Sequence, residues 1–332
     1  MAPARSLALR PAATTVYLLP LLILGPDTSS AKAGVARPPR SPARPAAHAS
    51  SKTEPAGAVR LPPGYVFDTS LLPHRDTAAT ARKYVLELDK YLKHTPTPEH
   101  TTAAFGAACA WLAERGCDGA GGGRPLVLDS GCGTGRSTLL FAEQHPDCLV
   151  VGVDRSLARL RKGRNVSGAP RETVDDEGNE LVHSARENAL LVRADLPVFW
   201  RLAAAKGWRL RQHRLLFPNP YPKGSMLTQR WHAHPCFSLV LRLGGSLELR
   251  SNWRTYLDEA LIATHAVAEV ASAEVARPEV AAAQNALAAG CAVVEYAHAP
   301  PFASEFEEKY AAAKLPLFRL VLELDRLAAS SL

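Results

Sequence analysis

The sequence predicts an α/β fold, a seven-stranded, mostly parallel sheet with helices on both faces. Three observations carry that prediction. Residues 124–154, RPLVLDSGCGTGRSTLLFAEQHPDCLVVGVD, read as strand, glycine turn, helix and strand. Short apolar runs and helical patterns then alternate along the chain, as in a parallel sheet built by crossover helices. Three predicted strands close on an acid (Asp129, Asp154, Asp195) and a fourth runs to Asn219. Open parallel sheets bind ligands beyond the carboxyl ends of their strands, so these four polar groups are expected in one crevice.

The elements follow in order. Residues 78–94 predict a helix, with Tyr84, Leu88, Tyr91 and Leu92 at helical spacing. Thr95-Pro96-Thr97-Pro98 breaks it. A second helix, about 99–115, carries Phe105, Trp111 and Leu112, and the glycine-rich run 119–123 leads into the first strand, Leu126–Asp129. Gly131, Gly133 and Gly135 form the turn, and Leu139, Leu140 and Phe141 are the inward side of the next helix. The second strand is Leu149–Asp154, followed by a basic helix at 156–163. Residues 168–182 are polar and read as a loop, with a helical fragment at 183–188.

The third strand is 189–194 and the next helix 197–206, with Phe199, Trp200 and Leu202 inward. The fourth strand, about 212–217, runs into Phe217-Pro218-Asn219-Pro220-Tyr221-Pro222-Lys223, where alternating prolines stiffen the backbone. Residues 236–242 read as helix and 246–250 as the fifth strand. An alanine-rich helical stretch, 254–290, breaks near Arg277-Pro278. A sixth strand (291–296), a short helix (303–313) and a last strand (317–324) complete the sheet as a terminal hairpin.

The 332 residues accommodate one catalytic domain of roughly 200–250 residues plus extensions. Three parts are expected: a leader at 1–57, a helical segment and linker at 58–123, and the α/β domain at 124–325. The leader opens with Arg5 and Arg10, then an apolar run, 16–24, too short to span a bilayer. Ala31-Lys32-Ala33 fits a signal-cleavage site, and residues 34–53 are rich in Ala, Arg, Pro and Ser without an acid. Signal followed by transit-like composition resembles the bipartite leaders of algal secondary plastids. A mitochondrial presequence, a secreted product and an untargeted disordered tail are the other readings. The expectation is a plastid protein whose mature form has no stable membrane association.

Charge has to be read after setting that leader aside. Residues 1–57 hold seven Lys/Arg and two acids, which is five of the seven net positive charges of the chain. The high isoelectric point therefore says little about nucleic acid. Local clustering says more. Residues 206–254 carry nine Lys/Arg against one acid, Glu248, interleaved with His213, His232, His234, Trp208, Trp231 and Trp253. Basic groups among aromatics suit phosphate contact and base stacking, and a solvated basic face over core tryptophans is the plainer alternative. The six cysteines form no C-x-x-C pair or His/Cys cluster, so neither a metal site nor a disulfide framework is predicted.

The glycine turn reads G-x-G-x-G, with Arg136 at the position where the dinucleotide fingerprint has its third glycine. No Gly-Lys-Ser/Thr follows, so it is not a phosphate loop. S-adenosylmethionine (SAM), a nicotinamide or flavin nucleotide, or no ligand at all are the occupants this leaves. An acid at the tip of the second strand, here Asp154, suits ribose hydroxyls in either nucleotide case. The spacing resembles motif I of the class I SAM-dependent methyltransferases, a Rossmann-like fold.

From about residue 124 to 324 the chain resembles the tRNA (guanine-N7)-methyltransferase family. The motifs are Leu128–Gly135, Val153-Asp154, Ala194-Asp195, the proline stretch (F-P-D-P-W-P-K in the family), Gly244-Gly245 before a strand ending in Ser251-Asn252-Trp253 (T-D-x), and Ser304–Glu307 (T-x-F-E). The resemblance implies SAM against Asp129, Gly131, Gly133 and Gly135, its ribose on Asp154 and its adenine at Asp195 and Leu196. Asn219, Tyr221, Lys223, Asn252, Ser304 and Glu307 would face a guanosine, with Asn219 and Lys223 at the reacting centre. The implied partner is tRNA, and the implied reaction is methylation of guanine N7 at the variable-loop guanosine 46.

Two residues depart from the family. Asn219 and Asn252 stand where it has aspartates. A carboxylate stabilises a cationic methylated base better than an amide does, since charge-assisted hydrogen bonds are roughly twice as strong. The departure predicts chemistry slower by on the order of tenfold, at ~1.4 kcal/mol per decade. Asn-Pro-Tyr also resembles part of the Asn-Pro-Pro-Tyr motif of amino-methyltransferases, with the adjacent second proline missing.

Overall fold

A computed structural model describes residues 72–163, 172–174, 180–270 and 277–325. All of them fall in one unit, Val59–Leu332. The predicted leader, 1–57, lies outside the described residues, as does the start of the predicted helical segment.

Two-sided burial of the strands makes this a layered molecule. Strand β1 (Leu126–Ser130) and strand β2 (Leu149–Asp154) are buried at every position. Alternate side chains enter opposite cores. Leu126, Leu128, Leu149 and Val151 face one, and Val127 and Val150 face the other. Apolar residues on both faces demand helices on both faces. Helix α4 (Arg136–Gln144) and helix α5 (Leu157–Gly163) supply Leu139, Ala142 and Leu160 to the smaller core. The larger core is filled from α3 (Glu99–Ala113), α6 (Leu196–Lys206), α7 (Phe237–Arg242), α8 (Arg254–Ala268) and α9 (Pro278–Ala288).

The remaining strands are β3 (Glu172–Val174), β4 (Glu180–Arg186), β5 (Ala189–Arg193), β6 (Gln212–Leu216), β7 (Ser246–Ser251), β8 (Val293–Tyr296) and β9 (Leu317–Glu323). The sheet order is β3-β4-β5-β2-β1-β6-β7-β9-β8. The five central strands are parallel and both margins are antiparallel. The chain leaves β1 for β2 and β5 on one side, then crosses to β6 and β7 on the other. The switch point lies between β1 and β6, where the ligand crevice of an open sheet forms.

The α/β class I methyltransferase layout stands, with nine strands among the described residues rather than the seven predicted. The two additional strands, β3 and β4, form an antiparallel extension beside β5. The sequence predicts a loop and a helical fragment there. The stretch is too polar to read as a strand, and its pairing comes from β5, which no local pattern reveals. The single helix predicted at 78–94 is two, α1 (Thr77–Leu86) and α2 (Leu88–His94), parted at Glu87. Its buried side chains are Thr77, Ala81, Val85 and Leu88, while Tyr84, Tyr91 and Leu92 are half-buried. Helix α10 (Glu305–Ala312) precedes β9 in the terminal hairpin.

Candidate functional site

The site begins where β1 ends. Gly131, Gly133 and Gly135 all take the left-handed conformation, with φ of 75°, 62° and 82°. At Gly135 a side chain is barred twice, because a Cβ would also lie 2.7 Å from Leu191 Cδ2. A Cβ on Gly133 would meet nothing within 4 Å, so a ligand can reach that backbone. Asp154, at the tip of β2, binds the turn directly. Its Oδ2 accepts from the Gly133 amide at 3.0 Å and its Oδ1 from the Ser156 amide at 2.7 Å.

Asp129, which the resemblance assigns to the cofactor, is tied into the chain next to the turn. It is buried, and its Oδ2 accepts from Thr138 Oγ1 at 2.8 Å and from Ser137 Oγ. It pins the first turn of α4 to β1. Asp195 caps α6 by accepting from the Val198 amide at 3.3 Å, and Leu196 comes within 3.9 Å of a Cβ built on Gly131. Glycine turn, Asp154, Asp195 and Leu196 thus occupy one edge of the sheet. Beside them lies a cavity of about 410 Å³ lined by Pro96, Pro98, His100, Arg155, Arg193, Ala194, Asp195 and Val198. Two of its walls come from the loop ahead of α3 and from α6. Thr101 of α3 ties them together, accepting from the Asp195 amide at 3.3 Å.

The proline stretch leaves β6, the immediate neighbour of β1. Phe217 and Tyr221 take φ of 51° and 44°, unusual for residues other than glycine. Asn219 Oδ1 accepts from the Tyr221 amide at 3.3 Å, closing a local turn. Asn219 and Lys223 are exposed and Tyr221 is half-buried. Asn252, at the end of β7, is buried.

Ser304 and Glu307 form a helix cap. Ser304 Oγ accepts from the Glu307 amide at 3.1 Å, and Glu307 Oε2 accepts from the Ala303 amide at 2.6 Å. Glu307 Oε1 takes Tyr296 Oη at 2.7 Å and Arg250 Nη1 at 3.0 Å. With both oxygens engaged and 4% exposure, Glu307 holds α10 to β7 and β8. Burial, and then Glu307 itself, raise the Tyr296 phenol.

Residues 123–286 match the family model described as "Putative methyltransferase". Those residues belong to this methyltransferase family. A curated tRNA (guanine-N(7)-)-methyltransferase of Mycolicibacterium gilvum (strain PYR-GCK) is 31% identical over 139 residues, 40% of this chain and 48% of that protein. The corresponding protein of Mycobacterium avium (strain 104) is 30% identical over 140 residues, 40% of this chain and 47% of its own length. The chain thus spans about half the length of the curated relatives it matches. A solved antibiotic-related methyltransferase is 14% identical, with 65% of this chain and 92% of that one covered, at a TM-score of 0.37.

The basic stretch 206–254 of this methyltransferase divides, with three of its nine basic residues turned inward and six exposed. Arg214 and Arg230 are buried, and Arg250 is 20% exposed. Arg214 and Arg250 meet Glu248, and Arg230 meets Glu259. Trp208 and Trp253 are buried, and His213 and His232 are fully enclosed. Burial pushes the His213 imidazole down to about 3 and His234 down to about 4. Burial raises the Glu248 carboxyl, but Arg250, Arg214 and Arg319 outweigh it and hold it below the usual range. The other six, Lys206, Arg209, Arg211, Lys223, Arg242 and Arg254, are exposed.

Several residues that build the site carry little sequence signal. Ser137 and Thr138 could be read only as ordinary helix positions. Gly152 left a clue, since a glycine inside an apolar strand marks a close approach. A Cβ there would sit 2.3 Å from Thr138 Oγ1. Ser130 lies behind the glycine turn, 2.8 Å from His213 Nε2, and accepts from Trp200 Nε1 at 2.9 Å.

Proposed function

We propose that this methyltransferase moves the SAM methyl group to N7 of a guanine in tRNA, at the variable-loop guanosine 46. One observation carries the reading. The glycine turn leaves β1 and the proline turn leaves β6, its neighbour, so a donor edge and an acceptor edge face one switch-point crevice. The family match and the names of the two curated relatives support it.

The donor edge fits SAM better than a dinucleotide. Asp154 already occupies the Gly133 amide that a pyrophosphate would seek, and a carboxylate beside that amide repels phosphate. Gly131, Gly133 and Gly135 would bear the cofactor, Asp154 its ribose, and Asp195 with Leu196 its adenine, in the cavity walled by Pro96, Pro98 and His100. SAM supplies an activated methyl on a sulfonium sulfur. Guanine N7 has a free lone pair at neutral pH, so the chain needs no general base. Its task is alignment, with Asn219, Tyr221 and Lys223 placing the base for in-line attack.

Tritiated SAM and undermodified organellar tRNA test the reading, with N7-methylguanosine located by aniline cleavage. Incorporation at guanosine 46 is expected. SAM binding with no labelled guanosine would overturn the substrate assignment, and tRNA binding without SAM affinity would overturn the enzymatic one. The placement of Glu307 favours a second reading, a methyltransferase acting on another RNA or small molecule. Its carboxylate is engaged on both oxygens, where the guanine edge was expected. The expected location is a plastid, or a mitochondrion in the alternative reading, and import of a full-length fluorescent fusion distinguishes the two.

A further inference from the structure

The proline turn does not hold itself. Two of its residues, Phe217 and Tyr221, sit at positive φ without being glycine. Such residues persist only where the surroundings over-determine them. The Asn219–Tyr221 bond is local and exposed. Something beneath the turn has to fix it.

Arg230 is placed for this. Its side chain is 3% exposed. Nε and Nη2 both donate to the Tyr221 carbonyl, at 3.2 and 3.0 Å, and Nη2 also reaches the Pro222 carbonyl at 3.4 Å. Nη1 donates to both Glu259 oxygens, at 2.6 and 2.5 Å. The guanidinium carbon lies 5.1 Å from the centre of the Trp253 ring, next to Asn252 in sequence. One planar fork therefore touches the turn that carries Asn219 and Lys223 and the residue after Asn252.

Glu259 is itself held from two more directions. His232 Nε2 is 2.9 Å from its Oε2, and the His74 amide donates to its Oε1 at 2.8 Å. His74 precedes α1, so the residues ahead of the first helix reach the underside of the acceptor turn. His74 and Gly224 are close, with a Cβ on Gly224 falling 3.1 Å from His74 Nε2. An ion pair this deep contributes little net stability compared with apolar packing, although breaking it is costly. Its geometry is better explained by what it positions.

We propose that Arg230 is a positioning residue for the acceptor turn, clamped by Glu259, and that it sets where Asn219 and Lys223 stand relative to the donor edge. The consequence for methyl transfer rests on the function proposed above. The clamp itself does not. Lysine keeps the charge but has no fork, so it cannot serve Tyr221, Pro222 and Glu259 together.

The test is Arg230→Lys in the full chain, read three ways. Hydrogen–deuterium exchange of the 217–229 segment should rise at least tenfold while 126–140, the glycine turn, stays as in the wild type. SAM affinity should stay within twofold. The kcat of methyl transfer to undermodified tRNA should fall at least tenfold. A folded Arg230→Lys protein whose 217–229 segment exchanges at the wild-type rate overturns the clamp. So does equal loosening of both turns, which would mark a merely structural residue. Should Arg230→Lys fail to fold, Glu259→Gln gives the same reading, since it leaves one acceptor and the arginine in place. If the wild type transfers no methyl group, the functional reading fails, and the exchange data still decide the clamp.

Discussion

The two edges of the crevice are built differently. At the donor edge the glycine turn is held locally. Asp154 grips Gly133, 21 residues away, and Asp129 holds Ser137 and Thr138, eight and nine residues away. The acceptor edge is assembled from afar. Arg230 meets Glu259 across 29 residues, Arg250 meets Glu307 across 57, and His74 meets Glu259 across 185. The donor edge therefore depends on backbone conformation, and the acceptor edge on buried charge. Glycine substitutions should break the first, and charge removal the second.

The largest effect should come from the acceptor edge. Glu259→Leu leaves Arg230 buried and unpaired, which should cost about 3–5 kcal/mol, the range for a broken buried pair. Denaturant unfolding measures it, and a loss under 1 kcal/mol would show that water reaches Arg230. Gly135→Ala attacks the donor edge. The αL position and contact with Leu191 should together cost about 2–3 kcal/mol in calorimetry. SAM affinity should drop by more than tenfold, while hydrogen exchange of the proline turn should not change. Equal loosening of both edges would erase the contrast.

Acid sharpens the comparison from the donor side. His213 lies behind the glycine turn, and its folded pKa, about 3, is below the ordinary 6.5. The folded imidazole refuses a proton that the unfolded one accepts, so stability is complete above about pH 6.5 and declines as pH falls toward 3. The slope should be about 1.4 kcal/mol per pH unit for this residue. His213→Gln should flatten the profile between those limits, and an unchanged profile would assign the acid sensitivity elsewhere. The gentlest test adds a charge to the acceptor edge. Asn219→Asp should raise the rate of guanine methylation by on the order of tenfold, ~1.4 kcal/mol, if the amide is what limits it. A rate that stays flat would point to another acceptor.

The donor edge was legible because its chemistry is written in unusual residues. Three glycines at alternate positions, a strand ending in Asp154 and a second ending before Asp195 together mark a ligand crevice and little else. The proline turn was legible for the same reason. Its support was not. Arg230 and Glu259 look like any arginine and glutamate on a polar stretch, and nothing in the basic run at 206–254 marks Arg214, Arg230 and Arg250 as the three members that turn inward. Glu307 shows the limit most clearly. The family-like motif around it was visible, but not the Tyr296, Arg250 and Ala303 donors that engage its carboxylate.

By itself the sequence determined the α/β alternation, the strands that run to Asp129, Asp154, Asp195 and Asn219, and the two turns that mark the crevice. These follow from hydrophobic period and from glycine and proline, whose effects are local. Only the tertiary structure decided that β3 and β4 extend the sheet, that Asp129 serves α4, and that Arg230 faces inward beneath the proline turn. A strand's partner and a charge's counter-charge are choices among distant residues. They are settled by burial, where an unpaired charge costs several kcal/mol and a pairing has to be found.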